Sequence, residues 1–244
     1  MAIGPNNKFT LRTEQMSKSS SYDLGVDAGL RSYMLKVYNY MCIGLALTGA
    51  VAFSASTSDA LMGAIYGSPL QWLVMLAPLG MVFFLAARVH KMKASTAQSL
   101  FWVYAGLMGL SLSYIFLVYT GASVTRVFFI TAGAFAGLSL YGYTTKRDLS
   151  AMGTFMVMGL IGIIIASLVN IFLVSSALHF VISVLGVLIF AGLTAYDTQK
   201  IKSMYYEADG HEVAEKKAIM GALSLYLDFL NMFIFLLHLF GNRE

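Results

Sequence analysis

Seven apolar stretches, each close to the length of a membrane-crossing helix, recur along this chain at residues 33–55, 70–87, 97–119, 123–143, 151–173, 177–198 and 218–240. Roughly 20 apolar residues carry a helix across the hydrocarbon core of a bilayer. Composition agrees: the 244 residues are 58% hydrophobic and 11% charged, where a soluble domain is about 45–50% apolar and about 25% charged. The expectation is an all-α integral membrane protein, seven transmembrane helices in one bundle, with the lipid bilayer as its first partner. A disordered chain, a nucleic-acid-binding domain and an ordinary soluble enzyme are excluded. The single Cys42 rules out an intrachain disulfide and a thiolate metal cluster. Residues 1–32 are polar and aperiodic, which predicts a mobile cytoplasmic tail ahead of a membrane domain at 33–244. No charged start, apolar core and small-residue cleavage site follow one another there, so no signal peptide is expected.

Charge sets the expected orientation. With the N-terminus in the cytoplasm, fourteen of the 16 Lys and Arg fall on the cytoplasmic side: Lys8, Arg12, Lys18, Arg31, Lys36, Arg88, Lys91, Lys93, Lys146, Arg147, Lys200, Lys202, Lys216 and Lys217. The other side receives Arg126 and Arg243, and its loops at 56–69, 120–122 and 174–176 hold no Lys or Arg. This positive-inside bias predicts seven helices with the C-terminus on the opposite side. Gly133 and Gly137, four apart on the fourth stretch, are expected to let helix backbones approach closely, as are Gly106 with Gly109 and Gly159 with Gly162. The similarity between 105–112 and 132–140 is read as reuse of small packing residues rather than as a transporter's inverted repeat.

A charged side chain at mid-membrane costs about 2.5–3.5 kcal/mol even on the lenient insertion scale, so such a residue is a functional candidate. Asp228 is the clear instance: it lies eleven residues past Lys217, about 16 Å along a helix. Ser224 and Asn231 extend it into a polar stripe on the last helix, which must face the bundle interior or water. Asp197 closes the sixth stretch, with Thr194 one turn earlier and Lys200 three residues on, where a surface ion pair is the plain alternative. Arg88 ends the second stretch, either snorkelling to the headgroups or turned inward as counter-ion to an aspartate. Lys36 and Arg126 are expected to snorkel. Glu207, Asp209, Glu212 and Glu215 are expected to form a solvated loop face, and Asn170 a packing hydrogen bond. His179 and His238 are placed at the outer interface, His90 and His211 in loops, and the four are too scattered for a metal cluster.

Two carboxylates a few ångströms apart in low dielectric cannot both ionise cheaply; they share a proton and act as a pH sensor. They are also a hard-oxygen site, suited to weakly bound Ca²⁺ in competition with protons. The expected pathway residues, and the metal site expected from sequence, are therefore Asp197 and Asp228, with Ser224, Asn231 and Thr194 in support and Arg88 as a latch. No cofactor beyond that Ca²⁺ is expected. The drawn spans leave Asp228 about two turns deeper than Asp197, so pairing requires the sixth helix to reach further or a water vestibule to enter the bundle.

The run Ala191-Gly192-Leu193-Thr194-Ala195-Tyr196-Asp197-Thr198-Gln199, followed by an Asp within the last helix, resembles the Bax inhibitor family, its bacterial branch above all. Met75-Leu76-Ala77-Pro78-Leu79, the stretch from Tyr141 to Leu149, and Leu239-Phe240-Gly241-Asn242-Arg243 are similar to it as well, so the likeness runs from residue 31 onward. The resemblance implies one central helix surrounded by six others, in the bacterial inner membrane. It also implies a pH-sensitive Ca²⁺ leak sensed by an aspartate pair on the last two helices and latched by an arginine on the second. Asp197, Asp228 and Arg88 are the matching positions. The resemblance also allows a non-conducting partner of a membrane-bound quality-control protease, working through the tail and the 200–217 loop, and a proton-coupled transporter remains a further alternative. An intramembrane aspartyl protease is disfavoured, since Leu225, Tyr226 and Leu227 stand where it needs glycines. A retinal-type receptor would need a Lys inside the last helix, and a rhomboid-type serine protease an inner His to partner Gly137-Leu138-Ser139. No enzymatic activity is expected.

Overall fold

A computed structural model describes residues 6–243, with side chains from residue 28 onward. Among the described residues nine α-helices follow one another: α1 (Asn6–Ser56), α2 (Asp59–Tyr66), α3 (Leu70–Arg88), α4 (Ala94–Leu112), α5 (Ile115–Val118), α6 (Gly121–Thr144), α7 (Ser150–Leu173), α8 (Ser176–Ser203) and α9 (His211–Phe240). A 3₁₀ turn, Val89–Lys91, extends α3. Among the described residues, seven segments are long and apolar enough to cross a membrane: Ala28–Ser56, Leu70–Lys91, Ala94–Val118, Gly121–Thr144, Ser150–Leu173, Ser176–Ser203 and His211–Phe240. Each coincides with one predicted stretch. The backbone of α1 is helical from Asn6, where a tail was expected, and runs unbroken into the first span; residues 1–5 of that tail lie outside the described residues.

The last helix is the core. α9 packs against α8, α1, α6 and α4, and Ala218, Ile219, Ala222, Leu225, Tyr226 and Met232 on it are almost wholly enclosed. Apolar residues on every side of a helix demand such a place. The expected ring of six is incomplete: α3 packs mainly on α4 and α2, and α7 on α8. Both are lipid-facing, with Trp72 and Phe83 on α3 and Phe155 and Phe172 on α7 exposed.

Acyl chains are as apolar as Leu, so helices associate in a bilayer through close contact and hydrogen bonds. Thr48 on α1 donates to the Ala105 carbonyl at 2.9 Å and pairs with the Tyr226 hydroxyl at 2.6 Å, joining α1, α4 and α9. Close backbone approach occurs at Gly142, where a Cβ would stand 2.2 Å from the Ala195 carbonyl oxygen, and at Gly109, 2.7 Å from that of Thr48. The expectation for Gly133 and Gly137 is corrected: a Cβ at either meets nothing within 4 Å, and the same holds for Gly106 and Gly162. Their faces of the helices carry no neighbouring backbone. Gly159 does meet a neighbour, Ile189, at 3.0 Å.

The helix ends are tied at both poles. At the basic end, the Gln199 side chain accepts from Leu149 N at 2.8 Å and donates to the Arg147 carbonyl at 2.7 Å, stapling the α6–α7 loop to α8. In that loop the Ser150 hydroxyl and amide hold the exposed Asp148 carboxyl below its usual range. At the far end, Tyr119 and Arg243 form an isolated β-bridge, and Asn242 N donates to Ser123 Oγ at 2.9 Å. The α7–α8 turn there rests on Val174 in the left-handed region (φ 48°), with Asn170 Oδ1 accepting from Ser175 N at 3.0 Å as the expected packing hydrogen bond.

Candidate functional site

α8 extends to Ser203 and α9 begins at His211, so each is longer at the basic end than its predicted stretch. This sets the level of the two aspartates. Ser224 Oγ donates to Asp197 Oδ2 at 2.7 Å. Asp228 stands four residues beyond Ser224, about 6 Å further along α9. Asp228 thus stands one turn beyond the residue that bonds Asp197, rather than the two turns drawn from sequence.

Asp197 and Asp228 both line a cavity of about 640 Å³ bordered by α7, α8 and α9. It exists because α7 leans on α8 and leaves the polar stripe of α9 uncovered. Ser224 and Asn231 line it too, together with Tyr196, Lys200 and Ser167. Asp228 is only 4% exposed, and its Oδ2 is buried without a hydrogen-bond partner. Asn231 donates to the Leu227 carbonyl at 2.8 Å, which anchors its amide beside the cavity. Lys200 sits 5.9 Å from the centre of the Tyr196 ring and is not among the ion pairs of the described residues, so the surface pair with Asp197 is not formed.

Two expected members lie elsewhere. Thr194 is fully buried and donates to the Phe190 carbonyl at 2.7 Å. Thr198, one turn on, donates to the Thr194 carbonyl and joins Ser139 of α6 at 3.0 Å, which in turn meets the Tyr38 hydroxyl at 2.6 Å. Thr198 therefore serves the α6 contact, while Thr194 bonds within its own helix. Arg88 is exposed at the end of α3 and forms no ion pair among the described residues. α3 packs outside α4, and this placement does not bring Arg88 to the aspartates.

A second polar cluster went unread in the sequence. Glu215, expected on a solvated loop face, is 8% exposed because α9 starts early enough to carry it into the bundle. It accepts hydrogen bonds from Lys36 and Tyr40 on α1, and Gln98 on α4 donates to Tyr40 Oη at 2.9 Å. Lys36 is accordingly a paired cation rather than a free snorkelling one. Asp209 pairs with Lys217 at 2.5 Å, while Glu207 is exposed as expected. The available signal was the run Glu215, Ala218, Ile219 and Ala222, spaced i, i+3, i+4 and i+7 on one buried face, which starting the helix at 218 cut off.

Known proteins are similar to this chain along most of its length. Residues 30–244 match the family described as "Inhibitor of apoptosis-promoting Bax1". The Rickettsia prowazekii protein RP147 is 50% identical over 97% of this chain and 98% of its own length. The inner membrane protein YbhL of Escherichia coli K12 is 48% identical over 89% of this chain and 94% of its own. A Caulobacter vibrioides protein is 49% identical over 91% and 93% respectively. With seven apolar helices among the described residues, the last of them a buried core helix bearing Asp228, and this kinship along nearly its whole length, the chain is a multi-pass membrane protein belonging to the Bax inhibitor family.

Proposed function

We propose that the protein is a pH-sensitive calcium (cation) leak of the bacterial inner membrane, gated at Asp197 and Asp228. The observation that carries this reading is their shared cavity: one carboxylate bound by Ser224, the other buried with an unpartnered oxygen, one helical turn apart. The other titratable groups lining that cavity are Tyr196 and Lys200. The basic loops are read as cytoplasmic on the positive-inside rule, which sets the cavity's polar mouth, at Lys200, toward the cytoplasm. The inner-membrane location follows the similarity to YbhL.

In this reading the pair holds one proton between two carboxylates whose joint ionisation low dielectric opposes. A proton and Ca²⁺ compete for the same oxygens. Losing the proton leaves charge that neither partner on α8 and α9 neutralises, and the seam between α7 and α9 admits water and cation. This reading involves no covalent change in the permeating ion, so the protein is read as a non-enzyme.

Purified protein in liposomes, assayed for Ca²⁺ release between pH 6 and 8, tests the proposal. Release that varies with pH in the wild type and loses that dependence in Asp228→Asn supports it. Equal pH dependence in both discards the sensor. Absence of flux, with a membrane protease recovered as a stable partner, favours the adaptor reading. Uphill accumulation of a solute against a proton gradient favours a transporter.

A further inference from the structure

At the pole away from the basic loops, His179 in the first turn of α8 and His238 in the last turn of α9 lie side by side. Their ring centroids are 4.9 Å apart, with the planes inclined by 49°. His179 Nε2 and His238 Nδ1 are both buried, and neither has a hydrogen-bond partner. Buried polar atoms are nearly always satisfied, so each exception requires an occupant or a role. Here two exceptions come together, one from each helix of the same pair.

Neutral imidazole nitrogen is the commonest protein ligand for late first-row divalent metals. Arg243, just past the end of α9, has its guanidinium over the Tyr119 ring at 5.8 Å. Phe235 walls the His238 ring edge-on at 6.3 Å. No acidic side chain is paired with either ring among the described residues, so imidazole is the donor the site has. We propose that His179 and His238 form a two-imidazole site for one divalent cation of the zinc class, strapping α8 to α9 at this pole. Both residues are partly exposed, which leaves the remaining coordination positions to water.

The site is separate from the aspartate cavity. His238 follows Asp228 by ten residues, about 15 Å along the helix. Its chemistry also differs: carboxylates and carbonyls suit Ca²⁺, whereas imidazole suits Zn²⁺. The two sites would therefore respond to different ions at opposite levels of one helix pair.

Calorimetric titration of the full chain in detergent with zinc chloride at pH 7.5 tests the proposal. The wild type is expected to bind one Zn²⁺ per chain. His179→Gln and His238→Gln are each expected to weaken binding at least ten-fold, and Asp228→Asn to leave it unchanged. Lowering the pH to 5.5 is expected to weaken it at least ten-fold, because the ligating nitrogens must be unprotonated. The double variant His179→Cys, His238→Cys is expected to restore binding through thiolates, which separates a lost ligand from a lost fold. A wild type that does not bind, His variants that bind as it does, or loss of binding in Asp228→Asn overturns the site. The leak assay reads only the aspartates, so either proposal can fail alone.

Discussion

Ser224 of α9 donates to Asp197 of α8 across 2.7 Å, from a position one turn before Asp228. This contact brings the two carboxylate-bearing helices into register. A hydrogen bond to a charged group contributes about 1.5–3 kcal/mol. Ser224→Ala is expected to lower stability by about 1.5 kcal/mol, read as an earlier thermal unfolding midpoint in detergent. An unchanged midpoint would show that the helices hold register without it.

Glu215 joins α1 to α9 through Lys36 and Tyr40. Removing one partner of a fully buried pair costs about 3–5 kcal/mol, but the Lys36 side chain is 44% exposed. Glu215→Ala is therefore expected to cost about 2 kcal/mol, and Glu207→Ala on the exposed loop less than about 0.5 kcal/mol. Equal effects in denaturant titrations would return Glu215 to the solvated face the sequence suggested.

Gly142 and Gly133 lie on the same helix with opposite surroundings. A methyl at Gly142 collides with the Ala195 carbonyl oxygen, whereas one at Gly133 meets open space. Gly142→Ala is expected to destabilise by about 2–3 kcal/mol through overpacking. Gly133→Ala is expected to stabilise by about 0.5–1 kcal/mol through the lower backbone entropy of the unfolded chain. Thermal scans of the two variants side by side decide it, and a stable Gly142→Ala protein would contradict the α6–α8 contact.

Val174 adopts φ 48° while 83% exposed. A β-branched residue there bears about 1–2 kcal/mol of steric strain, and it has little packing to lose. Val174→Gly is expected to raise stability by about 1 kcal/mol. A lowered unfolding midpoint would argue against a strained turn.

Asp148 is held below its usual range by the Ser150 hydroxyl and amide. A carboxylate depressed in the folded state stabilises above its unfolded pKa, and that contribution disappears as the pH falls through the folded value. The stability difference between wild type and Asp148→Asn is expected to be present at pH 7 and to shrink below the ordinary carboxylate range. A difference independent of pH from 7 to 3 would assign the effect to the hydrogen bond from Ser150 N and not to the carboxylate's charge.

The number and class of the helices were legible because membrane spans announce themselves locally. Every backbone polar group must be satisfied within the helix, and every lipid-facing side chain must be apolar. Asp228 was legible for the same reason, since a carboxylate so placed has a high local cost. The polar ends of α8 and α9 were not, because helix that leaves the hydrocarbon needs no apolar residues, and with them went the buried place of Glu215. Which glycines touch a neighbour, that Thr198 of α8 meets Ser139 of α6, that Arg88 stays outside and that His179 meets His238 were settled by packing. Each depends on how one helix is rotated against another, and a chain read in one dimension holds only the period of each helix, not the partner its faces meet.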